Sequence, residues 1–93
     1  MSERFESVVL DGHKGLAFEV PFDPAERWDL PLVPLRPGRR GFLVKGTVNR
    51  VRFESVVVPR ARRFFVLVTD EMQSAAKLRS GSDVRVSLSG RPR

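Results

Sequence analysis

Few residues of this 93-residue chain could carry out bond chemistry. There is no cysteine and one histidine, His13, set between Gly12 and Lys14 in a turn-like run with only Asp11 nearby. A lone imidazole without thiols cannot assemble the three or four ligands that a zinc ion requires, so no metal site is expected. Asp70 and Glu71 are the one adjacent carboxylate pair, and they fall where a helix begins, so capping and the helix dipole account for them without acid–base work. Serine and threonine are present, but no Gly-x-Ser-x-Gly elbow surrounds any of them, and His13 is the only histidine base. Neither a GxGxxG run nor a Walker loop offers a phosphate cradle. The expectation is a protein that is not an enzyme and has no cofactor.

What remains is positive charge, unevenly spread. Residues 1–35 hold three basic and seven acidic side chains, residues 36–63 nine and one, and residues 64–93 five and three. The middle of the chain is therefore the electrostatic pole. Arg39, Arg40, Arg50, Arg52, Arg60, Arg62 and Arg63 are the candidate nucleic-acid contacts, carried on a two-stranded ribbon of a size that enters a major groove and on the loop that follows it. Against this stands the plainer account in which arginine-rich loops keep a small protein solvated. The seven phenylalanines fit core faces, so no stacking platform for single strands is evident. A second candidate surface is apolar. Leu30, Leu32, Val33 and Leu35 punctuate a segment with Pro31, Pro34 and Pro37, too apolar for a free linker, and are candidates for docking a protein partner or a second subunit.

These residues must be positioned by short strands. Arg4 to Leu10 alternates, the run Asp11–Gly15 turns, and Leu16, Phe18 and Val20 alternate again, which predicts a hairpin. Asp23 suits an N-cap, Pro24 the first helical position and Glu26 the capping-box position, predicting a helical turn over 24–28. The proline-rich stretch can neither propagate a helix nor sit in a central strand, and is expected to run as an extended surface connection. Over VKGTVNRVRFESVVVP, residues 44–59, a two-residue loop at Asn49-Arg50 sets Val48 opposite Val51, Gly46 opposite Phe53 and Lys45 opposite Glu54. One face then carries Phe42, Val44, Gly46, Val48, Val51, Phe53 and Val57, with Gly46 expected to make room for the Phe53 ring. After the loop Arg60–Arg63 come an apolar strand, Phe64–Val68, and a helix over 71–78 capped by Thr69 or Asp70, with Met72, Ala75, Ala76 and Leu78 as its buried stripe. Val84, Val86 and Leu88 alternate in a last strand. The chain length is that of one domain spanning residues 1–93. About six strands with one short helix near 70–78 and a helical turn near 24–28 predict an all-β fold with minor α content, a small closed or partly closed barrel.

Several separated stretches resemble a bacterial family of unknown function, DUF1905, often found joined to a YdeI/OmpD-associated segment. They are VPFDP at 20–24, VKGTVN at 44–49 followed by Val51-Arg52-Phe53, FVLVTDEMQSAAKLRSGSDVRVSL at 65–88, and Pro92-Arg93. The resemblance implies a double-split β-barrel, similar to that of AbrB-like and MazE-like DNA-binding proteins, and it implies no activity. The chain departs from the family pattern in having Arg50 where the hairpin tip usually has glycine, and Arg60-Ala61-Arg62-Arg63 where a glycine-rich loop is usual. Its turn before the last strand reads Gly81-Ser82, and its proline-rich segment, 29–41, is longer.

The residues and the resemblance together predict an uncharacterised binding or interaction module, with basic nucleic-acid binding as the alternative reading and a homodimer as one form of partner. No stretch approaches the ~20 apolar residues of a membrane span, and a cytoplasmic protein is expected.

Overall fold

The computed structural model of the chain describes residues 2–12, 15–36 and 38–91. Its elements are β1 (Ser2–Gly12), β2 (Gly15–Val20), α1 (Pro24–Trp28), β3 (Val33–Arg36), β4 (Arg39–Val48), β5 (Val51–Arg60), β6 (Arg63–Leu67), α2 (Asp70–Ala76) and β7 (Asp83–Gly90). All pairings are antiparallel, in the order β3-β4-β5-β6-β2-β1-β7. A further ladder joins β7, the last strand of this order, back to β4, the second, so six strands form a closed barrel with β3 added along one edge of β4. The fold is mostly β with two short helices, as the alternation of apolar residues predicts.

Alternation also fills the barrel. Val9, Phe18, Val44, Val48, Val57, Val66, Val84 and Leu88 point inward and are buried, with Phe42, Phe53 and Val86 among them. From this core an aromatic series leads out to α1: Phe53 lies 6.5 Å from Phe18, Phe18 6.5 Å from Phe5, Phe5 6.0 Å from Phe22, and Phe22 5.1 Å from Trp28, mostly edge to face. Asp23 caps α1 by accepting from the Ala25 N–H at 2.9 Å, and Pro24 opens the helix, as expected. Glu26 remains exposed at the surface. Thr69 caps α2, accepting from the Met72 N–H at 3.1 Å, and the Met72 sulfur accepts from the Thr69 N–H at 3.4 Å, a capping box closed by a thioether instead of a carboxylate. Met72 and Leu78 are buried in the core and Ala76 packs against it, whereas Ala75 is exposed.

The β4–β5 hairpin has the predicted register, with Val48 opposite Val51, Gly46 opposite Phe53 and Phe42 opposite Val57. Asn49 and Arg50 have φ of 49° and 71°, the two positive values of a type I′ turn. Asn49 also fastens the tip to β7: its Oδ1 accepts from the Arg85 N–H at 2.9 Å and its own N–H donates to the Arg85 carbonyl at 2.9 Å.

Besides Glu26 and Ala75, which are exposed instead of closing a capping box and lining the buried stripe, four expectations need correction. The space at Gly46 is not reserved for Phe53: a Cβ there would collide with the carbonyl oxygen of Ser87 on β7. Glycine is required because the β7 backbone closes the barrel against it. The proline-rich segment is not only a connection. Val33–Arg36 forms β3, an edge strand where Pro34 is tolerated. The loop Arg60–Arg63 is shorter than expected. Arg60 pairs with Arg63, and Ala61-Arg62, with φ of 52° and 67°, form a second tight turn. In the first hairpin the strands extend until Gly12 faces Gly15, while His13 and Lys14 lie outside the described residues.

Two stability predictions follow from these geometries. Arg50→Gly removes a side chain from left-handed backbone and is expected to stabilise the fold by ~1 kcal/mol in a denaturant titration; a loss of stability would contradict the turn. Gly46→Ala, although alanine is the smallest addition, is expected to destabilise by ~3 kcal/mol or more because the obstacle is backbone and cannot change rotamer. An unchanged melting temperature would show that β7 does not approach β4 there.

Candidate functional site

Pro59 marks the border of a surface on which apolar and basic side chains meet. The β4–β5 ladder ends at Phe42 and Val57, and Pro59, which has no N–H to give, stands just beyond it in the ladder with β6. Past this point β4 is no longer paired with β5 and pairs with β3 along its other edge, Gly41 with Val33 and Arg40 with Pro34. The two strands of the hairpin thus acquire different partners, and an open cleft of about 950 Å³ lies between them. Leu32, Leu35, Val58 and Pro59 supply its apolar part, and Arg39, Arg40 and Arg60 its charge. Leu35 is held against Gly41, where a Cβ would stand 2.8 Å from the leucine Cδ1, and Val58 is buried although it faces away from the barrel interior. Leu32 is 44% exposed.

The cleft unites residues from both sequence-derived sets. Arg39, Arg40 and Arg60 line it, and Arg62 and Arg63 stand on the adjoining turn. Arg50 and Arg52 do not join them. They are at the opposite end of β5, whose ten residues place the two turns about 30 Å apart in a molecule of longest extent 31 Å. The seven arginines that are close in sequence are thus divided between two ends. Arg63 is 3.7 Å from Glu19, whereas among the described residues Arg39, Arg40, Arg60 and Arg62 have no carboxylate within ion-pair distance. Leaving them unpaired keeps their charge available to a ligand.

The apolar set is divided as well. Leu32 and Leu35 open onto the cleft. Leu30 instead covers Gly90 beside Trp28, and Val33 helps line a smaller hollow with Leu30, Phe42 and Arg91. Part of the apolar character of this segment is therefore used to seal the barrel.

Asp70 and Glu71 are exposed in the first turn of α2, with Thr69 performing the capping. Among the described residues no three of His, Asp and Glu come together as metal ligands, and no helix is long and apolar enough to cross a membrane. The surface missed in the sequence is an outward row of hydroxyl and arginine side chains on β1, β7, β4 and β5. Only the pairing of β7 with both β1 and β4 creates it, and no local pattern announces that pairing.

The family model for the domain of unknown function DUF1905 matches residues 5–88, and the chain belongs to that family. Among curated proteins no match was found.

Proposed function

We propose that this protein is a non-catalytic binding module whose binding surface is the cleft between the β3–β4 turn and the end of β5. The observation that carries this reading is the meeting of Leu32, Leu35, Val58 and Pro59 with Arg39, Arg40 and Arg60 in one concavity. Such a cleft suits a ligand with an apolar group to bury and negative charges to pair, and an extended acidic peptide segment has both. An apolar floor gives a bare phosphate backbone little to gain.

The reading is tested with a labelled peptide of alternating glutamate and leucine, followed by fluorescence anisotropy. Leu32→Ser removes a half-exposed apolar contact and is expected to weaken binding about fivefold. Arg40→Glu is expected to weaken it more, and Arg50→Glu, at the far end of β5, to leave it nearly unchanged. Equal losses for Arg40→Glu and Arg50→Glu would indicate diffuse charge attraction and remove the cleft from the account.

Nucleic acid remains the second reading because five arginines, Arg39, Arg40, Arg60, Arg62 and Arg63, gather at this one end. Five phosphate contacts would give duplex binding a log–log salt slope of about −4, and Arg62→Ala with Arg63→Ala would reduce its magnitude by about 2. Duplex binding with that slope, indifferent to Leu32→Ser, would replace the peptide reading with this one.

A further inference from the structure

The arginines left out of the cleft have a setting of their own. On the outer surface of the barrel Arg4 pairs with Ser87, Ser87 with Thr47, and Thr47 with Arg52, one residue from each of β1, β7, β4 and β5. Their chain neighbours Phe5, Val86, Val48 and Phe53 pack into the core, so all four of these side chains face outward. Across three strand spacings, about 14 Å, the row reads arginine, serine, threonine, arginine. Shallow hollows flank it, and Thr47 lines both, one with Arg4, Arg50 and Arg85 and the other with Lys45 and Arg52.

Two further observations distinguish this row from a merely charged wall. The half-buried hydroxyls of Ser7 and Ser55 each donate to a carbonyl, that of Glu19 at 2.9 Å and that of Leu67 at 2.5 Å. Thr47 and Ser87 are equally half-buried, yet among the described residues neither hydroxyl has a protein partner. The neighbouring carboxylates are occupied as well. Glu6 lies 3.5 Å from Arg85 and Glu54 is bonded to Arg91, whereas Arg4, Arg50 and Arg52 have no carboxylate within ion-pair distance among the described residues. Glu71, on the rim of the second hollow, has no cation within that range among the described residues.

We infer that this row binds a tetrahedral oxyanion of the phosphate class, the Thr47 and Ser87 hydroxyls donating to it from the floor and Arg4 and Arg52 closing on it from either side. Guanidinium groups match phosphate oxygens two at a time, and hydroxyl donors add direction that charge alone does not supply. The floor is held rigid. β7 is fixed on both sides by ladders, and Asn49 ties the adjoining hairpin tip to Arg85. This site is separate from the cleft and does not depend on what the cleft binds.

The test is a ¹⁵N-detected titration of the full chain with inorganic phosphate, repeated with a phosphomonoester and with a short single-stranded oligonucleotide lacking a terminal phosphate. Saturable shifts centred on Thr47, Arg52 and Ser87 are expected with the first two. Binding is expected to fall about tenfold in Arg52→Ala and in the double variant Thr47→Val, Ser87→Ala, and to be unchanged in Arg62→Ala at the far end. A comparison of melting temperatures confirms that the variants are folded, and Arg52→Lys, which keeps the charge but loses the fork, should restore only part of the affinity. Shifts spread over every arginine, equal loss in Arg62→Ala, or binding of the oligonucleotide without binding of either phosphate would overturn the proposal.

Discussion

The close approach of β7 to Gly46 is the constraint on which the rest depends. A strand order running from β3 to β7 would leave an open, curled sheet. It becomes a barrel because residues 44–48 of β4 bond to β5 along one edge and to residues 86–90 of β7 along the other. For the second ladder to form, the β7 backbone must pass where a side chain at position 46 would stand. Closure removes the exposed edges that an open sheet would offer for aggregation, and it surrounds Phe18, Val44, Val57 and Leu88 with other apolar groups.

β4 is longer than its ladder with β7 and uses its length twice. Its second half closes the barrel, and its first residues, beyond the reach of Pro59, pair with β3. One strand with two sets of neighbours therefore produces both surfaces. The splayed end gives the cleft of leucines and arginines, and the closed end brings β1, β7, β4 and β5 together as a face with hydroxyls at its centre. The same pairing that buries the core by alternation presents the alternate residues outward in registered rows. Basic residues thus acquire different surroundings, apolar in one place and hydroxyl-lined in the other, although the sequence carries them as a single charged tract.

Features governed by near neighbours in the chain were legible from the residues alone. The β4–β5 register follows from the turn at Asn49-Arg50 and from matching apolar faces, and the helix starts follow from Asp23-Pro24 and from Thr69. Features governed by distant partners were not. That Gly46 is opposite Phe53 is local, but the reason it must be glycine lies about 40 residues away on β7. The prolines around Val33 correctly excluded a central strand and concealed an edge strand. Arg50 and Arg60 are near each other in the sequence and about 30 Å apart in space, because ten extended residues separate the turns that bear them. The row of Arg4, Ser87, Thr47 and Arg52 draws on four strands, so no window of sequence contains it.

Native-state hydrogen exchange tests barrel closure most directly. If the β4–β7 ladder holds the structure together, the hydrogen-bonded amides of residues 44–48 and 86–90 should exchange only through global unfolding, with free energies within ~1 kcal/mol of the stability measured by denaturant. Exchange of these amides at several kcal/mol below the global value, with β5, β6 and β2 still protected, would mean that the barrel opens along this seam and that closure at Gly46 is not what holds the two surfaces in place.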